Sequence, residues 1–529
     1  MSSYDAIIIG GGHNGLVTAA YLGKAGLKVL VLERRPEVGG GAATEEAHPG
    51  FKYASCAHSC GLLHPQVRKD LELAKHGVEL VPLNPVLFAP STDGRALTFW
   101  NDPRRTQQEI ECFSKIDAEK FPAFSSTLGK LSELLRELLK MTPPDLDGVG
   151  GAELVDLLKF ALRFRRLGKK EMFRALRMLP ASVADFLNEW FETDLLKGAI
   201  AGGGILGTFM GPRAQGTSLV LLYSQPAAGS IRPSSWARGG MGNLAQGLGQ
   251  AATRCGAEIR TNAEVAKILV KSEEAHGVVL KSGDDLEARV VISGADIKTT
   301  MLRLLDPAYL DPDYLLKLRN FRARGGCAKV NLALTEVPKF KALPGNGPQP
   351  QHQGLIHIGS GIDDLERAYD DGKYGGFSKK PFLEILLPSV LNASLAPPRK
   401  HVMSVLMQYA PYRLRDRDWK DAREELGQGV VSAINDYAPG FKESILHMQV
   451  LTPVDLEEKY GFPGGNYHHG ELALDQFFFM RPFAGWARYR TPVKNLYLCG
   501  ASTHPGGGIT GLPGYNAARE ILRDWKNRK

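Results

Sequence analysis

Nowhere does the chain run for about 18 or more apolar residues, the length a spanning helix needs, and the longest candidate, 198–211, is short and rich in glycine. No membrane span is expected. Cysteine is scarce: Cys56, Cys60, Cys112, Cys255, Cys327 and Cys499 include no C-x-x-C pair, which argues against structural disulfides and a zinc site, so no metal is expected. Cys56 and Cys60 leave a redox disulfide as the minor reading beside buried free thiols. The first strand begins by about residue 5, leaving no room for a signal or transit peptide, so a cytoplasmic protein is expected. A net charge of +8 would suit nucleic acid or anionic lipid, but no nucleic-acid motif accompanies it, and no nucleic-acid partner is expected. With 529 residues, 43% hydrophobic and 23% charged, the chain reads as two or three globular domains.

What is present begins at once. Residues 6–9 form an apolar strand, Gly10-x-Gly12-x-x-Gly15 encloses His13 and Asn14, a helical stretch follows to residue 25, and a second strand ends on Glu33. In such a βαβ unit Gly10 permits the turn, Gly12 lets backbone N–H groups approach a pyrophosphate, and Gly15 lets helix and strand pack closely. The helix N-terminus faces the anion, and Glu33, followed by Arg34, can accept ribose hydroxyls. On this spacing alone NAD and FAD are both admissible. Two further matches compete with it: Gly202-x-Gly204-x-x-Gly207 follows a helical pattern over 189–201, and Gly506-x-Gly508-x-x-Gly511 follows a strand pattern over 495–499 but has no second strand after it. Only one dinucleotide is convincingly encoded, although the last match could aim a helix N-terminus at it.

The rest divides around that unit. A small-residue loop, 38–44, follows Glu33. Residues 107–200 are mostly helical in pattern, including 128–141 and 154–179. The latter mixes Lys159, Arg163, Arg165, Arg166, Lys169, Lys170, Arg174 and Arg177 with leucine and phenylalanine, which suits either an anionic membrane surface or a solvated helix face. The nucleotide fold resumes near Gly239 with a helix over 243–255 and β-rich runs at 257–260, 265–270, 277–280 and 289–293, read as a meander packed on the parallel sheet. A second insertion, about 301–484, holds strands at 328–334, 382–387 and 402–407, a helix over 422–437, and Thr452-Pro453 as the start of a short helix to residue 460. The expected class is α/β. Segments 1–100, 236–300 and 485–529 form a Rossmann-like domain, split by insertions 101–235 and 301–484 that make an α+β substrate domain.

The run 495–508, ending Cys499-Gly500-Ala501-Ser502-Thr503-His504-Pro505-Gly506-Gly507-Gly508, resembles the phytoene desaturase and carotenoid ketolase family of FAD oxidoreductases, with a GR2-type flavoprotein layout. Residues 39–46, Pro49-Gly50-Phe51, 187–191, Leu474-Asp475-Gln476 and Arg481-Pro482 resemble the branch containing pyridine nucleotide-disulfide oxidoreductase domain-containing protein 2. The N-terminal extension of its mitochondrial members is missing, and so is the C-x-x-x-x-C pair of flavin disulfide reductases. The resemblance implies FAD, with Gly10, Gly12, His13, Asn14 and Gly15 at the pyrophosphate and Glu33 and Arg34 at the ribose. It places Gly40, Gly41, Ala42 and Thr44 along the pyrophosphate and ribityl chain, Val265 at the adenine, and Gly500, Ala501, Gly511, Leu512 and Asn516 towards the flavin ring. His504, His468 and His469 are the candidate proton-transfer groups, since histidine titrates near neutrality. Arg481 would pair with Asp475 or a substrate anion. The implied activity is two-electron oxidation or isomerisation of a hydrophobic, polyene-like substrate by hydride transfer to flavin N5, with the enzyme in the cytoplasm or peripheral on the membrane's inner face. A flavin amine oxidase, a flavin-binding regulatory protein with little turnover and a colourless NAD-dependent dehydrogenase are the alternatives.

Overall fold

The computed structural model describes residues 4–145, 148, 150–225, 231–232 and 235–527, with only the backbone of Ala152. Strand Tyr4–Ile9 lies inside a seven-stranded sheet, paired in parallel with Val29–Leu32 and Asp285–Ser293. Glu258–Arg260 and Leu496–Leu498 extend the parallel part on either side. Ala6, Ile7 and Ile8 are fully buried because both faces are covered, which is why this strand is a continuous apolar run. On one face Ala6 and Ile8 join residues of helices His13–Lys24, Met241–Arg254 and Leu512–Asn527. On the other, Ile7 and Ile9 meet Ile297, Met301 and Leu318. The β-rich runs do not pack across this sheet as a separate meander. Instead the first half of Asp285–Ser293 pairs antiparallel with Glu274–Leu280, and that with Val265–Lys271, so one strand serves both arrangements.

A second seven-stranded sheet runs Ile445–Leu451, Cys327–Leu334, His401–Gln408, Leu383–Leu386, Leu355–Ile358, Leu87–Pro90 and Ala96–Phe99. The last two strands fall inside the segment 1–100 yet belong here, because Leu87–Pro90 pairs in parallel with Leu355–Ile358 and not with the nucleotide sheet. The strands of this sheet alternate between two environments. Ala328, Val330, Leu332, Met403, Val405 and Met407 cluster with Leu426, Val430 and Ile434 of helix Trp419–Tyr437. Lys329, Leu406, Glu384 and His357 stand directly opposite one another in register, forming a row on the other face.

Helices form a lobe beside this sheet. Residues 154–179 are not one helix: Gly151–Arg166 and Lys169–Met178 are separated at Gly168, whose φ of +82° cannot continue an α-helix. The expected helix over 189–201 is likewise shortened to Asp194–Ala201. Asp117, buried in helix Lys115–Lys140, accepts hydrogen bonds from the backbone N–H groups of Glu192 and Thr193 ahead of it. Thr452 caps helix Pro453–Tyr460 as expected, with Asp455 returning a hydrogen bond from the Thr452 N–H at 2.7 Å. Among the described residues no helix is long and apolar enough to cross a membrane.

Candidate functional site

A cavity of about 330 Å³ opens where helix His13–Lys24 starts, and runs to the polar row of the second sheet. The helix has no side-chain cap and no acidic residue in its first turn, so its leading N–H groups are available to an anion. A Cβ on Gly12 would touch nothing within 4 Å, whereas one on Gly15 would lie 2.2 Å from the Gly10 carbonyl oxygen. Gly12 therefore keeps the approach open, and Gly15 keeps helix and turn together. Glu33, 6% exposed, accepts the Gly11 N–H on Oε2 at 2.7 Å and the Arg35 N–H on Oε1 at 2.9 Å. Each oxygen retains a lone pair for a ribose hydroxyl.

Gly10, Gly12, His13, Asn14, Gly15, Glu33, Arg34, Gly40, Gly41, Ala42, Val265 and Ala501 all line this cavity, as do His468 and His469. Arg34 is partly committed elsewhere, donating to the carbonyls of Glu458 and Lys459 near the end of helix Pro453–Tyr460. His13 Nε2, Asn14 Oδ1, His58 Nδ1, His468 Nδ1 and His469 Nδ1 have no hydrogen-bond partner among the described residues, although all five residues are on its wall. Five such atoms along one channel that starts at an uncapped helix fit a dinucleotide cofactor.

Six expected site residues do not line the cavity. The Thr44 hydroxyl accepts the N–H of Gly242 at 2.9 Å, serving helix Met241–Arg254. Gly500 brings its backbone against Gly294 and Ala295, where a Cβ would be 2.7 Å from the Gly294 oxygen. Gly511 packs on Leu63, Val67 and Val17, and Leu512 belongs to the apolar core. Asn516 donates to the Leu139 carbonyl, which His504 Nε2 also meets at 3.0 Å. The terminal helix packs on the first one, with Gly514 against Asn14, and Gly507, Gly508 and Ile509 just ahead of it line the cavity.

The histidine pair lines the cavity, and it does not titrate near neutrality. Burial and the Arg481 guanidinium lower His468 to about 3, and the same causes lower His469 to about 4. Both are neutral at pH 7 and act as hydrogen-bonding groups. Burial lowers His504 to about 3 as well, away from the cavity. Arg481 pairs with no carboxylate among the described residues: fully buried, it donates to the carbonyls of His468, Gly470, Glu471, Gln476, Ala501 and Thr503. It ties the histidine loop to the C-terminal loop, while Asp475 pairs with Arg322.

The two rival glycine motifs have packing roles. A Cβ on Gly202 or Gly203 would lie 2.5 Å from the buried Arg232 guanidinium. One on Gly207 or Gly507 would lie 2.2 or 2.3 Å from the His468 ring, so the imidazole is wedged between the two motifs. Cys56 and Cys60 are free and buried, and burial raises their thiols to about 11 and about 12, the opposite of a reactive redox pair.

No sequence motif marks the far wall, where His58 and Glu384 line the cavity, or the lysine behind it. Lys329, fully buried, donates to the Cys56 carbonyl at 3.2 Å and meets His58 Nε2 at 3.1 Å. An ammonium has no lone pair, so Nε2 accepts and the His58 proton sits on Nδ1, at the cavity. Burial lowers Lys329 to about 8. Glu384, in the same row, is held by Arg232 at 3.3 Å, and burial raises its carboxyl. The available signal was a charged residue at alternate positions of otherwise apolar strands.

Residues 15–522 match the model of the flavin-containing amine oxidoreductases. Pyridine nucleotide-disulfide oxidoreductase domain-containing protein 2 of Rattus norvegicus is 37% identical over 99% of this chain and 94% of its own length. One limonene dehydrogenase subunit from Castellaniella defragrans is 28% identical over 98% and 94%. The lycopene-forming phytoene desaturase of Pantoea ananas, more distant, is 26% identical over 96% of each chain. The solved structure of putrescine oxidase bound to putrescine shares the fold, with a TM-score of 0.58 at 15% identity and 99% coverage of both chains. The FAD-binding, Rossmann-like architecture matches these relatives, and NAD is set aside as the occupant. The chain belongs to the family of flavin-containing amine oxidoreductases, with FAD as its cofactor.

Proposed function

We propose that the chain is an FAD-dependent oxidoreductase that withdraws two electrons from an apolar, terpene- or polyene-like substrate. One observation carries this reading: beyond the polar cradle, the cavity wall includes Leu206, Val220, Leu406, Leu472 and Ile509 beside Tyr223 and Tyr467, and its carboxylate there, Glu384, is already matched by Arg232. An ammonium substrate would find no uncompensated negative charge at that end. FAD, when bound, supplies the two-electron acceptor. The chain's own residues position and exclude: Gly12 and the helix N-terminus hold the pyrophosphate, Glu33 the ribose, neutral His468 and His469 offer hydrogen bonds, and the leucine wall keeps water out. The names of two relatives, limonene dehydrogenase and phytoene desaturase, support an apolar hydrocarbon; the family's name supports an amine.

The partner in this reading is an anionic membrane surface, from which an apolar substrate could be drawn. Leu154, Leu158, Phe173 and Leu176 are 61%, 58%, 63% and 57% exposed on the paired helices, and neighbouring Arg165, Arg166, Lys169 and Lys170 have no carboxylate partner among the described residues. Anaerobic mixing of the flavin-loaded protein with terpene or polyene hydrocarbons in anionic vesicles, and separately with alkylamines, tests the proposal. Bleaching of the flavin band by a hydrocarbon is expected. Bleaching by amines alone, or by dithionite alone, would overturn it in favour of an amine oxidase or a regulatory flavoprotein respectively.

A further inference from the structure

A second cavity, of about 460 Å³, lies beside the flavin cavity, and Leu62 and Tyr223 line both. Its walls include Leu63, Val86, Phe99 and Phe121, and the shared Leu62 and Tyr223 set its apolar side against the flavin cavity. Its polar side chains have a one-sided character: Arg68, Arg136 and His64 line it, and among the described lining residues there is no carboxylate. Of the acids nearby, one is ion-paired and two accept hydrogen bonds from neutral groups. Glu109 accepts the Trp100 indole N–H, Asp70 accepts from Tyr21 and Gln66, and Glu137 pairs with Arg163. Arg68 is exposed at the rim, with no ion pair to any described carboxylate. Gln225, 1% exposed on the same wall, uses its N–H₂ on the Leu221 carbonyl and leaves Oε1 without a partner among the described residues. A cavity built to hold only hydrocarbon would not collect two guanidinium groups and an unsatisfied amide.

We infer that this second cavity binds an anionic headgroup on an apolar chain, with Arg68 and Arg136 as the anion-binding residues and the chain leading past Leu62 and Tyr223 towards the flavin. This deepens the proposed function, resting on its apolar substrate, by giving that substrate an acidic end. Guanidinium groups suit either a carboxylate or a phosphate ester. The positive field is felt by His64, which burial, Lys140 and Arg136 together lower to about 4.

The test is equilibrium binding of cis-parinaric acid, a fluorescent polyene carboxylate, to the flavin-loaded protein, beside its methyl ester and a long-chain alkyl phosphate as competitor. The acid should bind at least about tenfold tighter than the ester, a difference of about 1.4 kcal/mol. Arg68→Gln and Arg136→Gln should each shrink that preference, and Arg68→Lys should retain most of it. Stronger competition by the alkyl phosphate than by an alkyl carboxylate would name phosphate as the headgroup, and the reverse would name carboxylate. Equal affinity for acid and ester in the unaltered protein, or a preference untouched in both glutamine variants with their flavin content intact, would overturn the anion site. Because binding is read without turnover, failure of a hydrocarbon to bleach the flavin would leave this result standing.

Discussion

The three candidate histidines have different neighbours. His468 lines the cavity and is wedged between Gly207 and Gly507, while His504 is fixed to the Leu139 carbonyl behind it. Gly507→Ala would put its Cβ 2.3 Å from the His468 ring and 2.7 Å from its Cα, so movement of the ring alone cannot relieve the clash. Overpacking of this kind costs about 1–3 kcal/mol. The variant should melt lower and show an altered flavin spectrum. His504→Gln should also melt lower, through loss of packing and of the hydrogen bond, but leave the spectrum and the rate of flavin reduction unchanged. Thermal melts with parallel absorbance spectra separate the two, and a changed spectrum in His504→Gln would place that residue back at the flavin.

Among the elements, those with local signals were legible in the sequence. The strand–glycine–helix opening and the Thr452 cap were readable because each depends on residues within a few positions of one another. Thr452→Ala removes a cap that accepts the Asp455 N–H and is answered by the Asp455 carboxylate, and should cost about 1 kcal/mol in a denaturant titration. A midpoint equal to that of the unaltered protein would deny the cap any weight. The row Lys329, Leu406, Glu384 and His357 was not legible, because its strands meet only through the register of a sheet assembled from distant segments. Leu87–Pro90 went to the second sheet for the same reason. Gly500 and Gly511 have close backbone or side-chain neighbours of their own, and spacing alone cannot distinguish such packing from cofactor contact.

For the whole molecule, the collected histidines imply a pH dependence. His13, His64 and His469 are lowered to about 4, and His357, His468 and His504 to about 3, chiefly by burial. Their folded values lie below the unfolded value near 6.5, so the unfolded chain binds more protons as the pH falls. The stability they contribute is present above about pH 6.5 and is lost towards pH 4, at up to about 1.4 kcal/mol per pH unit for each histidine, and less for the partly exposed, solvent-screened His64. The melting temperature should therefore drop steeply between pH 6.5 and 5, before most carboxylates titrate. A flat profile over that interval would show that these imidazoles are solvated.

The central claim is that one FAD lies along the channel from the uncapped helix at Gly12 to His468 and His469. Titrating flavin-free protein with FAD, while following the band at about 450 nm, tests it most directly. The account predicts saturation at one FAD per chain with a shifted, structured band, and loss of that uptake in Gly12→Asp, whose carboxylate would oppose the pyrophosphate. A chain that stays colourless with excess FAD, or a Gly12→Asp variant that binds FAD as tightly as the unaltered protein, would contradict it.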